Sequence, residues 1–498
     1  MIKSNGGIIG PDNVTTGGAF GRASGVFKLG EVTNLIKESK WPTAGPGGFQ
    51  VANSCRFNSA SSDNLQKTPS GDGNKKTFTI STWVKRSNIS SHKSIWSAGQ
   101  YQSTAMVQVF FESDDTIHVS QFNAGGGQQA RLTTNRLFRD VGAWYHIVAV
   151  WDTTQGTAAN RLKLYVNGVQ ETSFSTSAYP DQNDNTGANT NNIPITIGNR
   201  HGSSLFFSGY QCECVLLDGT ATAITDLGEF DEDSGIWKPI DVSGLTFGTN
   251  GYYLDFKDAS NLGNDANGGT DFTENNITAI DQSTDTCTNN FATINSLDNF
   301  YAAATLSEGN TQIVTATTPE CWITGTVGLS TGKWFWEQKV IGFSGGGTSI
   351  TGIADRPAAA ANLDLGKTTF GWQYTNGGYL QHGDANLGTW TQTTYTTNDI
   401  IGTALDIDNN LIFFYKNGTL LNSGTGIAIT AVASTANGFW FPAFGDYNSG
   451  SATLSVNFGS PSFAISSGNA DGNGHGNFEY AVPSGYYSLN TKNLAEYG

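Results

Sequence analysis

Glu229-Phe230-Asp231-Glu232-Asp233 sets carboxylates at every second position. Residues two apart share one face of a strand, so Glu229, Asp231 and Asp233 would enter a single cleft if the stretch were extended. Two carboxyl groups about 5–5.5 Å apart perform retaining glycoside hydrolysis, one as nucleophile and one as acid/base. The surroundings argue against that chemistry. Gly228 precedes the run, the third carboxylate is the shorter aspartate, and Ser-Gly-Ile-Trp-Lys-Pro closes it. The stretch reads as a solvated acidic turn, and the chain as a protein that is not an enzyme.

Two further constellations offer ligand chemistry. Asp181, Asn183, Asp184 and Asn185 are hard oxygen donors within twelve residues, the type that calcium prefers. The loop lacks the glycine at its sixth position and the glutamate at its twelfth that define the EF-hand loop. No cofactor is required; calcium is the ion such a loop would take. Asp265–Asp271 is a poorer version of the same thing. His382, Asp384 and Trp390 lie in one segment, Tyr379–Trp390, and aromatics among short polar residues suit recognition loops. These three are the candidate ligand-binding residues. The remaining histidines are scattered, and His146 reads as a half-buried strand residue. No Ser/His/Asp set has supporting context, and no phosphate-cradling loop or paired metal histidines occur. Trp83, Trp144, Trp334 and Trp336 lie on apolar strands and read as core.

The elements that must position these groups are strands. Sixty-two residues are Gly, two are Met and only 14% are charged. Long runs of Leu, Glu, Lys and Ala, which helices prefer, are missing. The chain reads as all-β, and its 498 residues exceed one ordinary core. A net charge of −16 without a basic patch excludes nucleic acid as the expected partner. No apolar run reaches the ~18 residues of a membrane span, and the start, Met-Ile-Lys-Ser-Asn-Gly-Gly, does not read as a signal peptide. Cys55, Cys212, Cys214, Cys287 and Cys321 show neither zinc spacing nor an even framework. They read as buried thiols, with Cys212 and Cys214 on one face of a strand.

Residues 1–48 read as an arm or attachment segment with one helical candidate, Gly30–Ser39. Residues 49–220 alternate apolar and polar at period two in short strands, among them 77–86, 105–113, 116–122, 144–152, 162–170 and 205–219. A connector rich in Asn, Asp and Gly spans 221–300; it is expected to wrap the first domain or join the two. A second strand series fills 301–465, and 466–498 form a tail. Leu162–Gln170 and Leu411–Leu420 each end a strand in Tyr-X-Asn-Gly. Asn-Gly favours a two-residue hairpin because both central residues must tolerate positive φ. The intervening sequences do not align, so the pattern points to one architecture used twice rather than a recent duplication.

The first series, Trp-Tyr-His-Ile-Val-Ala-Val-Trp-Asp through Ile-Thr-Ile-Gly-Asn-Arg to Leu-Leu-Asp-Gly, resembles a laminin-G-type, concanavalin A-like jelly roll. The second is similar to a SPRY domain. Its Gly-Lys-Trp-X-Trp-Glu start, Gly-X-Ala-Leu-Asp centre and Val-Asn-Phe-Gly close occur in order. Two concanavalin A-like β-sandwich domains joined by an extended, loop-rich connector are the implied fold. Jelly-roll glucanases carry Glu-X-Asp-X-Glu, with or without one more residue before the last glutamate, on one strand; the acidic stretch keeps that spacing but ends in aspartate. The connector and the terminal Gly-Tyr-Tyr-Ser-Leu-Asn-Thr-Lys-Asn-Leu-Ala-Glu-Tyr-Gly resemble segments of tailed-bacteriophage structural proteins.

These resemblances imply a virion structural protein, a tail fibre or surface adhesin that binds host glycan or protein through sandwich-end loops. Other virion proteins would be its partners, and a homotrimer its assembly. Two alternatives stand behind it: a purely structural decoration of capsid or tail without receptor binding, and, after that, a polysaccharide-cleaving enzyme, favoured only if Glu229, Asp231 and Asp233 line a cleft. The SPRY-like unit reads as an insertion, with the C-terminal tail completing what the connector begins.

Overall fold

The computed structural model describes residues 48–498 apart from 232–233, 299–302, 318–319, 357–363 and 388–392, together with four two-residue strands near the start of the chain. Those four pair as Ile8–Ile9 with Val26–Phe27 and Thr15–Thr16 with Ala19–Phe20. The helical candidate Gly30–Ser39 lies outside the described residues.

The first body is a sandwich of two antiparallel sheets. One runs Phe174–Ala178, Gln128–Thr134, Ile117–Phe122, Met106–Phe111, Lys93–Ala98, Ile195–Ile197, Asn64–Lys67 and Thr273–Asn275. The other runs Val169–Gln170, Leu162–Val166, Tyr145–Asp152, Thr77–Arg86, Gly209–Asp218, Ser54–Phe57 and Gln282–Ser283, with Tyr252–Leu254 also on Gly209–Asp218. Alternation sends Val107, Val109 and Phe111 from one sheet and Phe78, Ile80 and Val84 from the other into a shared core. Each sheet includes strands from the 221–300 connector. They cover edges that would otherwise present unpaired backbone groups.

The second body repeats this plan. Its larger sheet runs Thr305–Ser307, Gln312–Val314, Ser451–Asn457, Lys333–Ser344, Ile400–Asp406, Leu411–Lys416 and Thr419–Leu420. The facing sheet runs Trp322–Thr324, Phe441–Gly445, Ile350–Ala354, Gly371–Thr375, Leu380–His382 and Ala385–Asn386. Trp334, Trp336, Tyr374 and Phe444 fill the space between them. The molecule is thus all-β, two sandwiches with a loop-rich connector. Among the described residues one short α-helix, Thr491–Tyr497, is capped by the Asn490 side chain accepting from Asn493 N–H. No helix among the described residues is long and apolar enough to cross a membrane.

The two Tyr-X-Asn-Gly turns do the same work. Asn167 and Asn417 both have φ 48°, and Gly168 and Gly418 both have φ 77°. Each asparagine side chain accepts from a backbone N–H at the start of the preceding strand, the second residue His146 at 2.7 Å and the first residue Ile400 at 2.8 Å. Each glycine receives an aromatic ring from a later segment. A Cβ on Gly168 would run into Trp237, and one on Gly418 would come within 2.6 Å of Tyr480 Cδ1. The absent side chain therefore provides a seat as well as a backbone conformation.

Buried charges join the bodies. Arg56, fully buried, donates to Ile280 O at 2.8 Å, Pro461 O at 3.0 Å, Glu308 at 3.2 Å and Asp281 at 3.3 Å. Lys85 Nζ donates to Asp285 and Asn290 at 2.7 Å and to Phe291 O at 2.9 Å. Ser283 and Ser460 share a hydrogen bond at 2.6 Å. The tail returns to the connector, where Phe291 bridges Asn490 and Thr491 N–H donates to Asn290 O. Lys492 reaches Gln50 at 2.6 Å. The tail also packs Leu494 and Tyr497 on the second core.

One local expectation fails. Cys212 and Cys214 do not share a face. A bulge at Glu213, with φ 51°, sends Cys214 into the main core and Cys212 to a cluster with Trp83 and Trp144 on the opposite side.

Candidate functional site

The acidic stretch forms part of a surface hairpin, Glu229–Phe230 paired with Trp237–Lys238. Lys238 Nζ bridges Glu229 at 3.3 Å and Asp231 at 3.0 Å, while Asp233 lies outside the described residues. Burial alone would raise Asp231, but hydrogen bonds from Ser234 and Lys238 outweigh it and hold its carboxyl down at about 2. A group that acidic cannot serve as a general acid near neutrality.

His146 stands 2.8 Å from Ser81 Oγ through Nε2, which resembles a nucleophile–base pair. Its other nitrogen excludes the role. Trp237 Nε1–H, which can only donate, reaches Nδ1 at 2.9 Å. Nδ1 therefore accepts, and the proton sits on Nε2, which donates to Ser81 and cannot take its proton. The ring is stacked on Trp83 at 4.6 Å, and burial drives its pKa down to about 3. His146 is fully buried rather than half-buried, because Trp237 from the connector covers the outer side of the sheet.

Of the oxygen donors expected to hold calcium, Asp184 is engaged by Gln121 Nε2 at 2.6 Å, while Asp181 and Asn185 are exposed. Asn183, with φ 65°, ties the loop to Thr153 through its backbone N–H. Asp265 accepts from Tyr253 N–H and Asn267 N–H and pairs with Lys67. Its carboxylate organises the connector. Among the described residues no group of three or more His, Cys, Asp or Glu side chains is placed to hold a metal ion.

His382 and Asp384 sit together on the hairpin joining the last two strands of the six-stranded sheet, while Trp390 lies outside the described residues. The His382 ring stacks on Trp372 at 4.0 Å, and its Nδ1 meets Gly371 O at 2.9 Å. Asp384, with φ 63°, is exposed in the turn.

An open groove of about 790 Å³ lies elsewhere, on the outer face of the first sandwich. Strand register builds its floor. Asn64 pairs with Asn275 and Gln66 with Thr273; Leu65 between them points into the core, so Asn64 and Gln66 face outward. Asn275 Nδ2 donates to Asn64 Oδ1 at 3.1 Å, and Asn276 Nδ2 to Ser61 O at 2.7 Å. The opposite wall is the loop that carries His201 and Phe206. Ser97 and Thr196 hold it down by donating to Asn199 O at 3.2 and 2.9 Å. Gly202, with φ 72°, packs against Gln100 where a Cβ would not fit.

No Asp, Glu, Lys or Arg lines this groove among the described residues. Each amide presents both a donor and an acceptor, as each sugar hydroxyl does, and Phe206 adds an apolar surface. The volume falls in the range of small-molecule sites. Sequence spacing could not show this set, because 64–66, 199–206 and 275–276 meet only through sheet pairing.

Residues 59–223 match the family model of the concanavalin A-like lectin/glucanases superfamily, and residues 333–461 match the SPRY domain model. The chain carries a concanavalin A-like domain followed by a SPRY domain. The groove combines concanavalin A-like residues with Asn275 and Asn276, which lie beyond the matched segment. No curated protein matches the chain. Among solved structures, the chain is similar to the SPRY domain of human HERC1, with 17% identity, TM-score 0.26, and coverage of 33% of this chain and 96% of that one. It is also similar to stonustoxin, with 19% identity, TM-score 0.26, and coverage of 33% and 27%. A third is the heptameric SAP-like pentraxin from Limulus polyphemus, with 14% identity, TM-score 0.28, and coverage of 35% and 80%.

Proposed function

We propose that this chain is a carbohydrate-binding protein without catalytic activity, whose glycan site is the groove between Asn64, Gln66, Asn275 and Asn276 and the loop carrying His201 and Phe206. The uncharged, amide-rich lining carries the reading: it offers paired donors and acceptors to hydroxyls and no fixed charge to an ionic ligand. The concanavalin A-like match supports it. Asp231 held too acidic to serve as a general acid, and His146 with its proton on the nitrogen facing Ser81, favour binding over cleavage. The SPRY domain would act as a second recognition body, through the hairpin of His382 and Asp384, or as the attachment to neighbouring proteins.

In this proposal the setting is the surface of a phage particle, where several copies together hold a host cell although each site is weak. That setting rests on the resemblance of the connector and tail to phage structural proteins. A glycan array probed with the full chain, with reducing-end release followed on every bound glycan, tests binding and its class together. Binding to neutral glycans without release is expected. No bound glycan would overturn the lectin reading, and release of reducing ends would replace it with an enzyme.

A further inference from the structure

Five free thiols are distributed through the chain, and two of them touch. Cys212 Sγ and Cys287 Sγ are 3.7 Å apart. Cys212 is fully buried beside Trp83 and Trp144, on the side of the sheet to which the Glu213 bulge turns it. Cys287 is partly exposed. It lies in a tight turn closed by Thr286 N–H to Asn289 O at 3.2 Å and Asn289 N–H to Thr286 O at 3.1 Å. A disulfide bond needs its sulfurs ~2.05 Å apart. Side-chain rotation with a small adjustment of a surface turn can supply that approach.

We propose that Cys212 and Cys287 form a disulfide by exchange with a small-molecule disulfide. Once the turn opens, the thiolate of the partly exposed Cys287 attacks one sulfur of the oxidant, forming a mixed disulfide and expelling one thiolate. The Cys212 thiolate then attacks Cys287 Sγ, forming the protein disulfide and expelling the second. The protons that the two cysteines lose are taken up by the two released thiolates. The protein pair is oxidised by two electrons, and the oxidant is reduced to two thiols. Burial raises both thiols above their ordinary range, so exchange is slow and waits on opening of the turn.

The bond would close a loop of chain that contains Trp237, seated on Gly168, and Asn275, in the floor of the groove. It would thus tie the segment that follows this part of the floor to the Gly209–Asp218 strand of the opposing sheet. The chain would be assembled with free thiols and stapled once it meets an oxidising medium.

The test is to incubate the full chain with oxidised glutathione, then block free thiols under denaturing conditions and map peptides without reduction. A Cys212–Cys287 linked peptide, two hydrogens lighter than its parts, is expected. The melting temperature should rise by roughly 2–5 °C and return after dithiothreitol. Cys287→Ser, at the partly exposed position, should abolish both effects while Cys321→Ser leaves them intact. Both cysteines recovered with the blocking reagent would overturn the proposal. So would stable glutathione on Cys287, or a linkage of Cys212 to another cysteine.

Discussion

His146 shows how a single ring can be fixed by its neighbours. Trp237 donates to one nitrogen, Ser81 accepts from the other, and Trp83 covers a face, so the ring is held neutral. An unfolded histidine takes up its proton near pH 6.5, whereas the folded ring waits until about 3. The unfolded state therefore binds more protons throughout that window, and stability falls as pH drops through it, by up to ~1.4 kcal/mol per pH unit. Thermal melts between pH 4 and 7 should show a steeper acid loss in the native protein than in His146→Phe. Parallel slopes would mean that the ring titrates equally in both states. Lys85 makes a complementary case. Its removal leaves Asp285, fully buried, with hydrogen bonds from Trp144 and Phe291 but without its cation. Lys85→Met should cost about 3–5 kcal/mol in denaturant unfolding, and a loss below about 1 kcal/mol would show that solvent reaches the carboxylate.

At the scale of elements, the paired Asn-Gly turns tie strand geometry to long-range packing. Glu337, held by Asn457 and by the backbone N–H groups of Glu479 and Tyr480, sets the segment whose ring covers Gly418. Gly418→Ala should lose at least about 1–2 kcal/mol from its positive φ alone, with a further loss as Tyr480 is displaced. Gly168→Ala should in addition red-shift tryptophan fluorescence as Trp237 leaves its seat. An unshifted spectrum would show the ring tolerating the methyl group.

Most strands were legible in the sequence because apolar core residues alternate with polar ones, as in half-buried Leu411–Lys416 and in Thr77–Arg86, which is buried on both faces but still alternates Phe78, Ile80 and Val84 with Thr79, Ser81 and Lys85. Asn64–Lys67 and Thr273–Asn275 were not. Both are short and polar on their outward side, and their pairing spans some 200 residues of chain. The Glu213 bulge was invisible for a related reason, since a count of two assumes unbroken alternation. Asn-Gly announced the two turns, but not that aromatic rings from later segments would sit on their glycines.

Across the whole molecule, Arg56 joins the sandwiches directly through Glu308 and Pro461, and Lys85 ties the first sandwich to the connector, contacts that would hold the concanavalin A-like and SPRY domains in fixed relative positions. Small-angle scattering should fit one rigid shape, and Arg56→Ala should broaden the distribution of interdomain distances. The candidate site belongs to this scale as well. Its residues come from the first domain and the connector, and only the assembled sheet brings Asn64 against Asn275. The motifs that drew attention in the sequence, Glu229 to Asp233 and Asp181 to Asn185, were local in spacing. The groove is not, which is why it was missed.

Calorimetric titration of the full chain with a neutral oligosaccharide selected on a glycan array tests the groove most directly, with Asn275→Ala and His382→Ala measured alongside. Saturable binding by the native protein, weakened about tenfold or more by Asn275→Ala and unchanged by His382→Ala, is the predicted result; it corresponds to loss of a hydrogen-bonding site worth ~1.4 kcal/mol. Equal affinity in the native protein and Asn275→Ala, or loss of binding in His382→Ala alone, would contradict it.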